Sequence, residues 1–498
     1  MKIKERIIRG FKRGLNPIVV KELRQAVRSR FVIGILMFFL LFLVGGTGVT
    51  LLITSVNNAT SSASQFGAGK SLFTVLFSVL MVVCTLFIPI YVAVRLGTER
   101  DKDGVDLFFI TTLSPAAIVR GKFFSALLLV ALLFSVCMPF MTLTYLLRGI
   151  DLPTIFLILI SGFIFAIMAV HTAILFSCLP LGKIFKIITG IVLIFLCVTV
   201  LPGLIFSISI GGGSSLFSGS INFGSWEFWR DALIFITMAS MLLGFMNVFS
   251  TMLLSPPTAN RALPVRIYST SIWLLSWIII SIAFFLTGSA PYNDIVMIWL
   301  GVTTLFLSAA LLTAVNSNEN LSYRVRAAIP RKRILRILSF PFFSGPMNGL
   351  VWAVMLMVAS FFMAGIIQPD IWDKNASAWM SLFIYFYAYA LSATFIRRTI
   401  LKRLPCGNTW IIALLMMMLI SILPLIGVFF IDGFEFNEIE GWCYGNPFAL
   451  GDDINREMQI LIGSFWALSI TIINWRWIFS STKRFASLPP PLLKENGQ

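Results

Sequence analysis

The stretch Gln65-Phe66-Gly67-Ala68-Gly69-Lys70-Ser71 carries the Gly-Lys-Ser ending of a phosphate-binding loop. Its chemistry would be nucleotide hydrolysis, in which backbone N–H groups cradle phosphates, the lysine reaches the terminal ones and the serine hydroxyl meets magnesium. The complete pattern needs a glycine five residues before Gly69, and Ser64 stands there. A phosphate loop also leaves a buried strand, whereas the preceding "SVNNATSSAS" is polar and has no strand pattern. The segment reads as a linker that runs into an apolar stretch.

His171, the one histidine, sits in "AIMAVHTAILFSC". There it could relay protons or hydrogen-bond to a neighbouring helix. Ion-driven transport would want a carboxylate beside it, and the apolar runs carry almost none; Arg95, Asp231 and Asp294 all fall at run ends. One histidine and six cysteines without a C-x-x-C spacing do not make a zinc ligand set. The acidic stretch with Asp432, Glu435, Glu438, Glu440, Asp452, Asp453 and Glu457 could hold a cation or a substrate, or could simply be acidic residues tolerated outside the membrane. No nucleophile–base pair and no convergent carboxylates appear. The chain is therefore not read as an enzyme, and no catalytic residue, metal or cofactor is expected.

What must position these residues is a membrane-embedded scaffold. Of 498 residues, 58% are hydrophobic and only 12% charged, about half the charge of an ordinary soluble protein. Crossing a bilayer takes roughly 20 apolar helical residues. Twelve such runs occur, near 31–56, 71–96, 122–147, 154–180, 187–210, 231–254, 271–287, 295–315, 347–367, 379–396, 410–431 and 459–480. The expected fold is an all-α integral membrane protein of about 12 transmembrane helices.

With the N-terminus inside, 33 of the 38 Lys and Arg fall on the cytoplasmic side. The positive-inside rule thus places both termini in the cytoplasm of a multi-pass protein in the cytoplasmic (inner) membrane. The net charge of +17 follows from this topology and from contact with anionic lipid head groups; no soluble basic domain exists to bind nucleic acid. The polar segment 255–270 divides the runs into two sets of six, so 31–254 and 271–480 form two halves, with residues 1–30 and 481–498 as cytoplasmic ends. In each half the longest cytoplasmic loop follows the second run, at 97–121 and 316–345, which suggests an internal duplication.

Two cytoplasmic segments of the first half are patterned. In "LNPIVVKELRQAVRSRF", Asn16 suits a helix N-cap and Pro17 the first helical position. Val19, Val20, Leu23, Ala26, Val27 and Phe31 recur at helical spacing, while Lys21, Arg24 and Arg28 share another face. This predicts an amphipathic helix in the membrane interface that turns into the first run as an elbow. In "LGTERDKDGVDLFFITTLSPAAIVRGKFF", charges lead to a short apolar segment, and Ser114 and Pro115 then cap a new helix. This predicts a helical hairpin below the membrane. Phe108 and Phe109 would suit a partner's groove, or would dip into lipid.

Together these stretches resemble the permease subunits of type-2 ATP-binding-cassette (ABC) exporters. The resemblance implies an elbow role for Asn16, Pro17, Lys21, Glu22, Leu23 and Arg24. It implies a role in coupling to a separate ATPase subunit for Glu99, Arg100, Asp106, Leu107, Leu113, Ser114, Pro115, Gly121 and Lys122. It covers about the first 250 residues. The second half has no matching elbow before its first run, although "PRKRILRILSFPFF" is another basic, apolar-striped segment. The chain is then either a fused pair of permeases, or one permease with six further spans that forms a homodimer or joins a second permease. The readings from other classes are an ion-coupled secondary transporter centred on His171 and a non-transporting membrane scaffold.

Overall fold

The computed structural model describes residues 17–58, 68–101, 114–147, 150–179, 190, 226–256, 258–287, 293–317, 321–368, 376–404, 406–432, 444–447 and 456–486. All regular structure among them is helical. The chain divides into two compact units, Met1–Ser255 and Pro256–Gln498.

The first unit contains α1 (Pro17–Val27), α2 (Arg30–Asn58), α3 (Ala68–Val82), a π-helical turn (Val83–Phe87), α4 (Ile88–Asp101), α5 (Pro115–Leu146), α6 (Leu152–Cys178) and α7 (Trp226–Leu254). Helix α1 starts at Pro17, and only Arg28 and Ser29 separate it from α2. Helix α5 starts where its sequence directs: Ser114 is extended, its hydroxyl accepts the Ala117 N–H, and Pro115 follows. Helices α3 and α4 run through the π-helical turn as one apolar span, Gly69–Glu99, in which the Thr85 hydroxyl donates to the Met81 carbonyl at 2.6 Å.

Length decides where these helices end. At about 1.5 Å per residue, the 31-residue span Gly69–Glu99 is roughly 46 Å long, against a hydrocarbon core of about 30 Å. Its last turns, with Arg95 and Glu99, can reach past the hydrocarbon. Helix α5, with 32 residues, has the same surplus, and Lys122 lies near its start.

Lipid removes the usual solvent drive for helix pairing, so close contact holds the bundle together. Gly162 of α6 illustrates it: a Cβ there would stand 3.0 Å from the Met81 sulfur and the Phe77 ring of α3. Phe39, Leu43, Phe73, Leu76, Leu80, Val130 and Ile174 form the dry centre. Met37, Leu41 and Leu52 of α2 and Leu233, Ile236 and Met238 of α7 point outward, a display of apolar surface that suits lipid and not water.

The second unit contains α8 (Ala262–Thr287), α9 (Asn293–Ala314), α10 (Tyr323–Ala327), α11 (Arg333–Ser339), a 3-10 turn (Phe340–Phe342), α12 (Pro346–Ile367), α13 (Ala376–Thr399), a 3-10 turn (Cys406–Asn408), α14 (Thr409–Asp432), α15 (Arg456–Ile473) and α16 (Trp475–Arg484). Helix α13 is central and packs on α9, α14 and α15. Its Tyr385 hydroxyl donates to the Gln459 carbonyl at 3.1 Å and its Tyr389 hydroxyl to the Gly445 carbonyl at 2.8 Å. The buried Arg266 of α8 donates through Nη1 to the carbonyls of Pro341 and Phe343, at 2.7 and 2.6 Å. It thereby staples α8 to the turn that precedes α12.

Nine helices among the described residues are long and apolar enough to cross a membrane, ten if the bent pair α15–α16 counts as one span. The chain is thus an all-α, multi-pass membrane protein. The fifth expected run, 187–210, lies outside the described residues except for Gly190, and the eleventh falls within α14. Two boundaries differ from expectation. Helix α8 begins at Ala262, inside the stretch read as a linker, and the last run bends by 60° at Asn474. At the bend the Asn474 carboxamide Nδ2 donates to the Ile470 carbonyl at 2.9 Å and lies 3.4 Å from that of Leu391 on α13.

Candidate functional site

Helix α1 is held against the bundle by one face, on which Val19, Glu22 and Ala26 are buried. Val20, Val27 and, beyond the helix, Phe31 are exposed and Leu23 is half-buried, so the stripe predicted as one apolar face is split between protein and surroundings. The protein-facing side carries a carboxylate at its centre. Lys21, Arg24 and Arg28 are exposed, as expected for the basic face.

Glu22 enters a four-charge cluster. Lys122 Nζ of α5 stands between two carboxylates, 2.9 Å from Glu22 Oε1 and 2.7 Å from Glu99 Oε2 of α4. Arg95 Nε lies 3.3 Å from Glu22 Oε2, and Lys21 Nζ lies 4.0 Å from Glu99 Oε1 at the rim. Arg95 is itself oriented from two sides: one Nη donates to Gln25 Oε1 of α1, the other to the Tyr91 hydroxyl at 3.0 Å. The Tyr91 ring in turn stacks on Phe31, with centroids 5.9 Å apart.

The Lys122 side chain is only 5% exposed and that of Glu22 9%, so neither charge could be left alone there. Two carboxylates against Lys122 and Arg95 sum to zero, which makes their burial tolerable. A cavity of about 20 Å³, room for about one water, lies against Glu22, Tyr91, Arg95, Lys122 and Ser125. Lys122, with three donors, uses two on carboxylates.

Among the described residues no group of three or more His, Cys, Asp or Glu could hold a metal. The cluster links three helices, α1, α4 and α5. Glu99 lies in the last turn of α4 and Lys122 early in α5, on either side of 102–113, the segment read as a docking hairpin, and Glu22 ties both to α1 through Lys122. A displacement of either flanking helix must therefore move α1 or break buried ion pairs.

Of the residues singled out in the sequence, Lys21, Glu22, Glu99 and Lys122 come together here. Gly121 is buried beside Lys122, Ser114 and Pro115 open α5, Arg100 falls in the last turn of α4, and Arg24 points away from the cluster. Asn16, Asp106, Leu107, Phe108, Phe109 and Leu113 lie outside the described residues. Reading the sequence missed Arg95, Gln25 and Tyr91 as partners. The available signal was Glu22 itself, three residues after Val19 and four before Ala26, a carboxylate on a packed helix face.

His171 stands apart on α6. It is 2% exposed, its ring lies 4.1 Å from that of Phe123, and neither ring nitrogen has a partner among the described residues. Cys84, Cys137 and Cys178 are buried in the same unit. No protein-family model, curated protein or solved structure matches the chain.

Proposed function

We propose that the chain is the permease subunit of an ATP-driven ABC exporter, moving its substrate across the cytoplasmic membrane with energy from a separate ATPase subunit. The observation that carries this reading is Lys122, which bridges Glu22 of α1 and Glu99 of α4 within a buried cluster. A permease without its own nucleotide site must receive force at its surface and pass it to its spans. The cluster joins the helices on both sides of residues 102–113 to the helix that precedes the first span. In this reading α1 is the interfacial elbow and 102–113 the docking hairpin. The full set is twelve spans in two sets of six, with both termini cytoplasmic. Closure of the ATPase pair would push the hairpin and tilt α4 and α5 together, a rigid-body switch biased by ligand state.

The test is affinity purification of the tagged chain from native membranes, comparing wild type with Phe108→Asp/Phe109→Asp at matched expression. A stoichiometric ATPase that accompanies the wild type and is lost from the variant supports the reading. The absence of any ATPase from both preparations overturns it.

A further inference from the structure

Helix α11 and its entry, Arg331 to Ser339, form a small amphipathic unit that the permease reading does not use. At about 100° per residue, Ile334, Leu335, Ile337 and Leu338 share one arc, and Lys332, Arg333 and Arg336 the opposite one. The apolar arc is not folded back on the protein: Ile334 is 74% exposed and Ile337 71%. Among the described residues no carboxylate pairs with Arg331, Lys332, Arg333 or Arg336.

Helix α16 meets the same end of the second unit. The chain turns 60° on leaving α15, and Trp477 then anchors α16 in the core with the Arg398 guanidinium 5.5 Å over its ring. Opposite, Trp475 and Phe479 are exposed, with Lys483 Nζ 4.5 Å over the Phe479 ring. At the end of α16, Phe485 packs edge-on against Phe340 and Phe343, in the turn that follows α11. Two short amphipathic helices are thus tied at one end of the bundle. One presents aliphatic side chains beside cations, the other aromatic rings beside cations.

We propose that α11 and α16 form an in-plane platform that binds the phosphate groups of anionic glycerophospholipids, with α11 supplying the charge. Two observations select lipid as the occupant. The chain passes from α11 through a short turn into α12, a helix of membrane-crossing length whose Met355, Val358 and Phe362 are exposed. The cations flank the apolar arc of α11 as they do in helices lying at a bilayer surface, stems along the acyl boundary and heads at the phosphates. Exposed Trp and Phe on the bent α16 suit the same depth. The inference does not depend on an ATPase partner.

The test uses the full chain, purified in mild detergent and offered phosphatidylglycerol and phosphatidylcholine of equal chain length, with retained lipid counted by native mass spectrometry. Wild type should retain phosphatidylglycerol several-fold over phosphatidylcholine. Arg331→Gln/Lys332→Gln/Arg333→Gln/Arg336→Gln should lose that preference at unchanged melting temperature, and Lys402→Gln/Arg403→Gln, exposed cations elsewhere in the unit, should keep it. Millimolar inorganic phosphate should not displace the lipid. Ile334→Ser/Ile337→Ser keeps every charge and should also weaken retention, which covers the case in which the quadruple variant fails to fold. An unchanged preference in the α11 variants, equal loss in the Lys402/Arg403 control, or displacement by inorganic phosphate overturns the proposal.

Discussion

Lys122 Nζ lies 2.9 Å from Glu22 Oε1, joining helices whose residues stand 100 positions apart in the chain. The pair is buried, so each member needs the other more than the fold needs either. Lys122→Met leaves Glu22 with Arg95 and Glu99 with only the rim contact to Lys21, and should destabilise the first unit by about 3–5 kcal/mol. Glu22→Gln/Lys122→Met removes one charge of each sign and should lose less than the sum of the single variants, by about 0.5–3 kcal/mol. Denaturant unfolding in detergent checks this; strict additivity would mean that the two side chains do not interact.

Charge reversal should not rescue the pair. Glu22→Lys/Lys122→Glu restores opposite signs between α1 and α5, yet it sets the new carboxylate where Lys122 now meets Glu99 at 2.7 Å, and the new ammonium beside Arg95. Two like-charge contacts replace two ion pairs. The reversed variant is expected to melt below the neutral double variant; a melting temperature at or above it would show that Glu99 and Arg95 are not part of the cluster.

The spans were legible because hydrocarbon thickness imposes about 20 apolar residues on any crossing helix. The start of α5 was legible from Ser114 and Pro115, whose local chemistry acts whatever the bundle does. The inner face of α1 was not. In water an apolar stripe marks the buried side, but beside lipid Val20, Val27 and Phe31 are as acceptable outside as Val19 and Ala26 are inside. Glu22 was the better guide, because a carboxylate on a packed face requires a cation from elsewhere. The bend at Asn474 did leave a signal that a count of apolar runs passes over: the apolar sequence of α15 gives way at Asn474, Trp475 and Arg476 to the polar, amphipathic α16.

Gly349 marks a close approach of α12 to its neighbours. A Cβ there would fall 2.5 Å from the Ala314 Cβ of α9 and 2.6 Å from Arg266 Nη2 of α8. Gly349→Ala should therefore destabilise the second unit by about 1–3 kcal/mol through overpacking. Adding Ala314→Gly should recover only part of the loss, since Arg266, held by two carbonyls, cannot withdraw freely. Full recovery on thermal unfolding in detergent would show that the Arg266 contact yields at no cost.

His171 separates the permease reading from an ion-coupled one. It is buried against Phe123, and neither ring nitrogen meets a partner among the described residues. A buried polar group without a partner costs about 1–3 kcal/mol, so an apolar replacement of similar length should be neutral or stabilising. On the permease reading we expect His171→Leu to melt no lower than wild type, and transport into vesicles to keep its pH profile. A drop of several degrees would reveal a hydrogen bond to residues outside those described. A flattened pH profile at unchanged melting temperature would instead assign proton transfer to His171 and move the energy source from a partner ATPase to the membrane-embedded chain itself.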